Sequence, residues 1–253
     1  MLIKIVRKLV LLLCLPLLTA CATLDGPPDP DDPFESYNRG MYRFNDAVDR
    51  NVIKPVAEGY VKVTPGFLRT GVSNFFSNLD DVLVIINDVL QLKLAQAASD
   101  ISRLLVNSTV GLFGLVDVAT PIGLEKHNED FGQTLGYWGV GSGPFVVLPF
   151  FGPSSPRDGL GLYLETTEFD LVDRHVDDNR DRNLLTATRI VNTRARLLSA
   201  GRILDTAALD PYAFMRDAYL QRRRNLVYDG NPPPVDFDEP AGPTGLEMPQ
   251  PDD

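Results

Sequence analysis

The chain has 253 residues, 44% of them hydrophobic, with two cysteines, two histidines and a formal net charge of −10. That is enough for one large domain or two small ones with a sizeable core. The acidic balance excludes a general nucleic-acid surface, because phosphate binding is driven by Lys and Arg, and it argues against broad attraction to anionic lipid headgroups.

Residues 1–20 have the build of a secretory signal. Lys4, Arg7 and Lys8 form a basic end, and the apolar stretch from Leu9 to Leu18 is broken only by Cys14 and Pro16. The stretch ends in Leu18-Thr19-Ala20-Cys21, which resembles the lipobox of bacterial lipoproteins. The resemblance implies cleavage before Cys21, diacylglycerol on its thiol and an acyl chain on its amine. It also implies outer-membrane sorting, since position 22 is Ala and not Asp. An ordinary signal peptide with an accidental cysteine is the plainer alternative. A spanning anchor needs about 20 apolar residues, more than this run supplies. Cleavage removes three positive charges and takes the mature chain near −13. With Cys14 lost and Cys21 acylated, the mature monomer is predicted to have no disulfide, cysteine metal site or thiol nucleophile.

Residues 21–32 read as a lipidated tether, kept extended by Pro27, Pro28, Pro30 and four aspartates. The tail from 231 to 253, Pro-rich and without a basic residue, reads as disordered. The folded part is predicted to be 33–230. Asp32-Pro33-Phe34-Glu35 supplies an N-cap, a first-turn proline and a third-position glutamate. Phe34, Tyr37, Met41, Phe44 and Val48 follow at helical spacing with an aromatic face. Thr64-Pro65 starts a second helix, with Phe67, Leu68, Val72, Phe75 and Phe76. Asp80 or Asp81 caps a third, over 82–92, whose run Val82 to Ile86 is apolar all round and buried; a strand stays open there because of its β-branched residues. Leu94, Ala97, Ala98, Ile101, Leu104 and Leu105 make a fourth stripe, ending before Gly111.

Eight glycines and four prolines lie between Gly132 and Gly161. The reading is a long, irregular, greasy segment in which Phe145 to Phe151 faces acyl chains or closes over a channel. Helix returns over 180–200, stopping at Gly201, and Asp210-Pro211 opens a last helix toward Val227 and Gly230. Arg222, Arg223 and Arg224 near its end read as complements of the helix dipole, with a lipid-headgroup site as the alternative. The whole is predicted to be mainly α.

Catalytic signals are thin. Ser142 has glycine on both sides, the wrong spacing for a nucleophile elbow, and no phosphate-binding glycine motif is present. Asp173-x-His175-x-Asp177 reads as a solvated face rather than a metal site, and Glu125 to Asp130, with His127, as a capped loop. Glu165 and Glu168 are an acidic pair with no further support for acid/base chemistry. No catalytic residue, metal or cofactor is therefore predicted, beyond the lipid on Cys21.

Several ordered motifs remain: Asp32-Pro33-Phe34-Glu35-x-x-Asn38-Arg39, Asn74-Phe75-Phe76-x-Asn78-Leu79, Arg103-x-x-x-Asn107-Ser108-Thr109-x-Gly111 and Gly114-x-x-Asp117-x-Ala119. Glu129 to Gly136, Gly143-Pro144-Phe145, Leu148-Pro149-Phe150-Phe151-Gly152-Pro153 and Arg157-Asp158 follow. Together they resemble the MlaA (VacJ) family of outer-membrane lipoproteins. Departures are Leu104, where the family has Phe, and Leu92, where it usually has Gly. The resemblance implies a ring-like helical body embedded in the inner leaflet of the outer membrane. It further implies a trimeric porin partner and passage of mislocalised phospholipid through an amphipathic channel to a soluble periplasmic carrier. Asn38, Asn74, Phe75, Asn107, Phe145, Phe150 and Phe151 are the candidate channel or lipid-facing residues. For the asparagines, capping and backbone satisfaction is the competing role. A lipolytic enzyme and a purely structural porin-associated lipoprotein are the rival functions.

Overall fold

The computed structural model describes residues 32–234. Cys21, the signal, the tether before Asp32 and the tail from 235 lie outside the described residues.

The described chain is mainly helical. Helix α1 (Glu35–Val48) continues through a π-helical turn (Asp49–Ile53) into α2 (Lys54–Val63). The widened turn accommodates Pro55, which has no N–H to return to the preceding turn. Thr64 is extended before Pro65, as a residue preceding proline must be. Then α3 (Gly66–Leu90) runs unbroken, and a tight turn leads into the antiparallel α4 (Leu94–Thr109). A loop with a short 3₁₀ turn (Thr120–Ile122) leads to α5 (Phe131–Tyr137). A two-stranded hairpin follows, β1 (Val146–Leu148) and β2 (Gly152–Ser154), paired antiparallel with Val147 opposite Pro153. The chain finishes with α6 (Pro156–Glu168), α7 (Leu171–His175), α8 (Asn179–Arg196), α9 (Leu198–Ala207) and α10 (Pro211–Val227).

Four predicted boundaries change. Asp32 does not cap α1 through its side chain; the residue before the helix is Phe34, which lacks a side-chain acceptor. Asp80 and Asp81 do not start a new helix, because Arg189 and Lys126 engage their carboxylates from outside α3. The helix expected to stop at Gly201 bends at Leu197 and resumes as α9. The Gly/Pro-rich middle is not irregular throughout: it folds as α5, the hairpin and the start of α6. Proline is tolerated at Pro153 because a two-stranded sheet has only edges. The helix start at Asp210 stands as read, Asp210 accepting from Tyr212 and Ala213 N–H, whereas Asp130, expected only in a capped loop, caps α5 by accepting from Gln133 N–H.

The burial pattern is the main structural fact. In α4 the buried residues are Ala97, Asp100, Arg103 and Asn107, while Leu94, Ile101 and Leu105 are exposed. In α1 the one buried residue is Asn38, and the aromatic stripe leaves Phe34 and Phe44 in the open. In α3, Val84 is buried within the Val82 to Ile86 run, but so are Asn78, Asp81, Asn87 and Asp88. Across the described residues, polar and charged side chains outnumber apolar ones among the buried, and Val63, Phe67, Leu112, Phe113, Phe150 and Phe151 stand exposed. An exposed Val or Phe forgoes about 1.5–3 kcal/mol of burial, so this outer surface is unfavourable in water. Among the described residues no helix is long and apolar enough to cross a membrane. The apolar core is small: Phe145, Val147 and Tyr212, flanked by Met41, Tyr42, Met215, Tyr219 and Leu220, where β1 lies against α1 and α10.

Two backbone positions carry opposite predictions. Where α5 and α6 cross, a Cβ on Gly161 would lie 2.5 Å from Gly132 N, a backbone atom that cannot move aside. Gly161→Ala should therefore cost about 1–3 kcal/mol, read as a lower denaturation midpoint in detergent. Leu92, in the α3–α4 turn, has φ +61°, where a β-carbon is strained by about 1–2 kcal/mol and glycine is not. Leu92→Gly should raise stability by about 0.5–1 kcal/mol in the same measurement.

Candidate functional site

The polar residues of the sequence motifs fall into two structural groups. Asn38 is fully buried; its amide donates to Phe145 O (3.0 Å) and Asp32 Oδ1 (2.8 Å), and its oxygen accepts from Val147 N–H (2.8 Å). The Tyr212 hydroxyl donates to the other Asp32 oxygen. Thus α1, β1 and α10 are joined at one polar node. The second group lies where α3 and α4 meet the loop after α4. Asn107 Oδ1 accepts from Val118 and Ala119 N–H (2.8 and 3.0 Å), and Asn74 donates to Leu115 O (3.1 Å). Asn78 donates to Ser108 Oγ (2.9 Å), pinned by Gly114, where φ is +82° and a Cβ would strike the Asn78 side chain. Asn38, Asn74 and Asn107 therefore satisfy backbone groups, and the structure does not gather them into one wall.

The expected acyl-facing segment divides. Phe145 is 1% exposed and packs on Tyr212 and Tyr219, so it belongs to the protein core and not to a lipid-facing surface. Phe150 and Phe151, at the hairpin tip, are 70% and 63% exposed. Phe150 sits at φ +67°, edge-on to Phe44, and its N–H donates to Asn45 Oδ1 (2.7 Å). Phe75 is half-buried, edge-on to Phe76.

A cavity of about 230 Å³ is lined from five directions: Asp80, Leu83 and Val84 of α3; Asn128, Glu129 and Asp130 before α5, with Gln133; Glu165 of α6; Arg189 of α8; and Arg222 and Leu226 of α10. One water needs only about 10–15 Å³ on the same measure. Most of these charges are already paired. Arg189 Nη2 lies 2.6 Å from Asp80 Oδ1, Lys93 Nζ 2.9 Å from Glu129, and Arg223 bridges Asp130 (2.5 Å) and Asp158 (2.9 Å). Glu165 Oε1 accepts from Phe131 N–H (2.9 Å). Burial pushes the Glu165 carboxyl up to about 7, against the pull of that hydrogen bond. Burial likewise raises Asp80, against the attraction of Arg189.

Sequence reasoning placed part of this cavity. Glu165 stood in an acidic pair, but Glu168 does not line the cavity and lies exposed beside Arg174 (3.9 Å). The arginine cluster separates: Arg223 is an internal ion-pair partner, Arg224 donates to Pro233 O near the helix end, and Arg222 faces the cavity. Asp80 and Arg189 were missed as site residues; their signal was a charge inside an otherwise apolar helix run and its match on a distant helix. The two histidines bond to Asp100 (2.9 Å) and Leu171 O (3.1 Å), and neither meets a serine. Asp173 pairs with Arg182 (3.1 Å), and no cluster of His, Cys, Asp or Glu among the described residues has the arrangement of a metal site.

A family model described as MlaA lipoprotein matches residues 30–226 of the chain. The chain is 35% identical over 203 residues to the intermembrane phospholipid transport system lipoprotein MlaA of Escherichia coli, covering 79% of each. It is 30% identical over 219 residues to the Haemophilus influenzae protein of the same name, covering 84% of this chain and 87% of that one. A solved structure reported as the structural basis for maintenance of bacterial outer membrane lipid asymmetry superposes with a TM-score of 0.65 at 32% identity. It covers 79% of this chain and 99% of that one.

Beside the cavity, Asp88 and Asp100 are both fully buried on facing turns of α3 and α4. Asp88 Oδ2 and Asp100 Oδ1 have no donor, as two ionised carboxylates would leave them. Gln96 donates to Asp88 (2.8 Å), His127 lies against Asp100, and Glu129 adds a third negative charge. Burial first, then Asp100 and Glu129, push Asp88 up to about 7. The folded chain therefore holds this proton more tightly than the unfolded chain. Stability should fall as pH rises from the ordinary 3.8 to about 7 and lose nothing more from this group above that. Asp88→Asn, which carries its own donor to Asp100, should flatten that decline in denaturation curves at pH 5 and pH 8.

Proposed function

The chain belongs to the MlaA lipoprotein family, and on that premise we propose that it moves phospholipid non-covalently between membranes to maintain outer-membrane lipid asymmetry. The observation that carries this reading is the inverted surface: apolar side chains outward, polar and charged side chains inward, and a charged, open cavity lined by α3, α6, α8 and α10. A lipid leaving a leaflet must keep its headgroup solvated, because an unpaired buried charge is very costly. The cavity offers polar lining for a headgroup, with Leu83, Val84 and Leu226 as an apolar margin. The exposed faces of α3 and α4 and the Phe150–Phe151 tip suit immersion in acyl chains. In this reading the helical body is ring-like and sits in the inner leaflet of the outer membrane, tethered by the lipid on Cys21. A trimeric porin is its membrane partner, and a soluble periplasmic carrier accepts the cargo.

No bond of the lipid is broken in this reading, and the hydrogen bonds of His127 and His175 to Asp100 and Leu171 O favour it over lipolysis. The test uses the purified, acylated chain in a porin complex within vesicles containing headgroup-labelled phospholipid. Intact labelled lipid should reach a soluble acceptor protein, without release of free fatty acid. Fatty-acid release that is lost in a His127→Ala variant would replace transport with lipolysis. Cys21→Ala should leave uncleaved, unacylated precursor by mass spectrometry and abolish complementation of a deletion strain's detergent sensitivity.

A further inference from the structure

The cavity contains one cation and one anion that the protein leaves unspent. Asp80 is taken by Arg189, Glu129 by Lys93, and Asp130 by Arg223. Among the described residues, Arg222 has no ion pair, and Glu165 has only the Phe131 N–H for a partner. They come from different helices, α10 and α6, line the same space, and do not pair with each other. Glu165 is partly buried, which makes its charge unfavourable without a cationic partner, while Arg222 stands exposed at the cavity edge with its guanidinium uncommitted. We propose that this cavity is a zwitterion site, in which Arg222 takes the phosphate of a phospholipid headgroup and Glu165 takes its ammonium.

The site therefore selects a phosphoethanolamine headgroup over an anionic, ammonium-free one. This rests on the phospholipid-transport reading and adds a substrate class to it. An ammonium carries three donors and no acceptor, so it needs a carboxylate or carbonyl beside it, which Glu165 provides. A glycerol headgroup in the same place leaves the phosphate charge on Arg222 but brings no cation to draw the proton off Glu165, whose carboxyl is held up at about 7 by burial. Asp80 sets the limit on the other side: its pairing holds Arg189 back from acting as a second phosphate clamp. Volume does not restrict the choice, since the cavity exceeds a single water by more than tenfold. Selection lies in charge.

The test reconstitutes the full acylated chain in vesicles of equal phosphatidylethanolamine and phosphatidylglycerol and counts the co-bound lipids by native mass spectrometry. Wild type should carry phosphatidylethanolamine in excess. Glu165→Gln keeps the oxygen that accepts from Phe131 N–H, so the helix start survives. It should lower phosphatidylethanolamine occupancy about tenfold, the scale of one charged hydrogen bond, and leave phosphatidylglycerol unchanged. Arg222→Gln should lower both lipids. Asp80→Asn, which releases Arg189, should shift occupancy toward phosphatidylglycerol. Wild-type occupancy equal to the vesicle ratio, or a Glu165→Gln loss shared equally by both lipids, overturns the zwitterion site while leaving transport standing. Absence of both lipids from the wild type overturns the site and the transport reading together.

Discussion

Polar groups withdrawn from solvent must find hydrogen bonds within the protein, and here that constraint governs the fold because the polar groups are the interior. Asn38 shows its reach. One side chain meets a carbonyl and an N–H of β1 and a carboxylate oxygen of Asp32, whose other oxygen holds Tyr212 of α10. Leaving any one of those buried groups unmet costs about 1–3 kcal/mol, comparable to exposing a large apolar side chain. Hydrogen bonds have partners and directions, whereas apolar contact has neither. The first helix, the hairpin and the last helix are therefore fixed in register by a node of three side chains and two backbone groups, although the apolar core beside it is small.

The same requirement sorts the charges. Arg223 is spent on Asp130 and Asp158, Arg194 on Asp49 at 2.7 Å, and Lys126 on Asp81. These pairs knit α10 to α5 and α6, α8 to the π-helical turn, and the loop before α5 to α3. Buried ion pairs add little net stability, but removing one partner is costly, so they act as fixed joints. What the joints leave over, Glu165 and Arg222, faces the cavity. The site is thus the remainder of a pairing scheme rather than a separate cluster grafted onto the fold.

A function that moves lipid without chemistry suits such a body. It requires an outer surface at ease with acyl chains and an inner surface at ease with a headgroup, and no single nucleophile. The burial pattern of α4 states this in one helix: Leu94, Ile101 and Leu105 outward, Asp100, Arg103 and Asn107 inward. The hairpin tip extends the outer surface, with Asn45 holding Leu148 O (2.9 Å) and Phe150 N–H so that Phe150 and Phe151 project.

By itself the sequence determined the helical class, the cap at Asp210, the proline boundary at Thr64-Pro65 and the family, because these depend on residues adjacent in the chain. It also marked Asn38, Asn74 and Asn107 as special without saying for what, since their partners lie 41 residues or more away for Asn38–Phe145 and Asn74–Leu115. Helical periodicity shows that α1 and α4 have two faces, but periodicity has no sign: it does not say which face is inside. Only the tertiary packing decided that the polar face is buried, that Phe145 is core while Phe150 is surface, and that Asp80 and Asp81 answer distant cations instead of capping a helix. It alone separated Arg222 from Arg223, because neighbours on a helix point about 100° apart and meet different partners there.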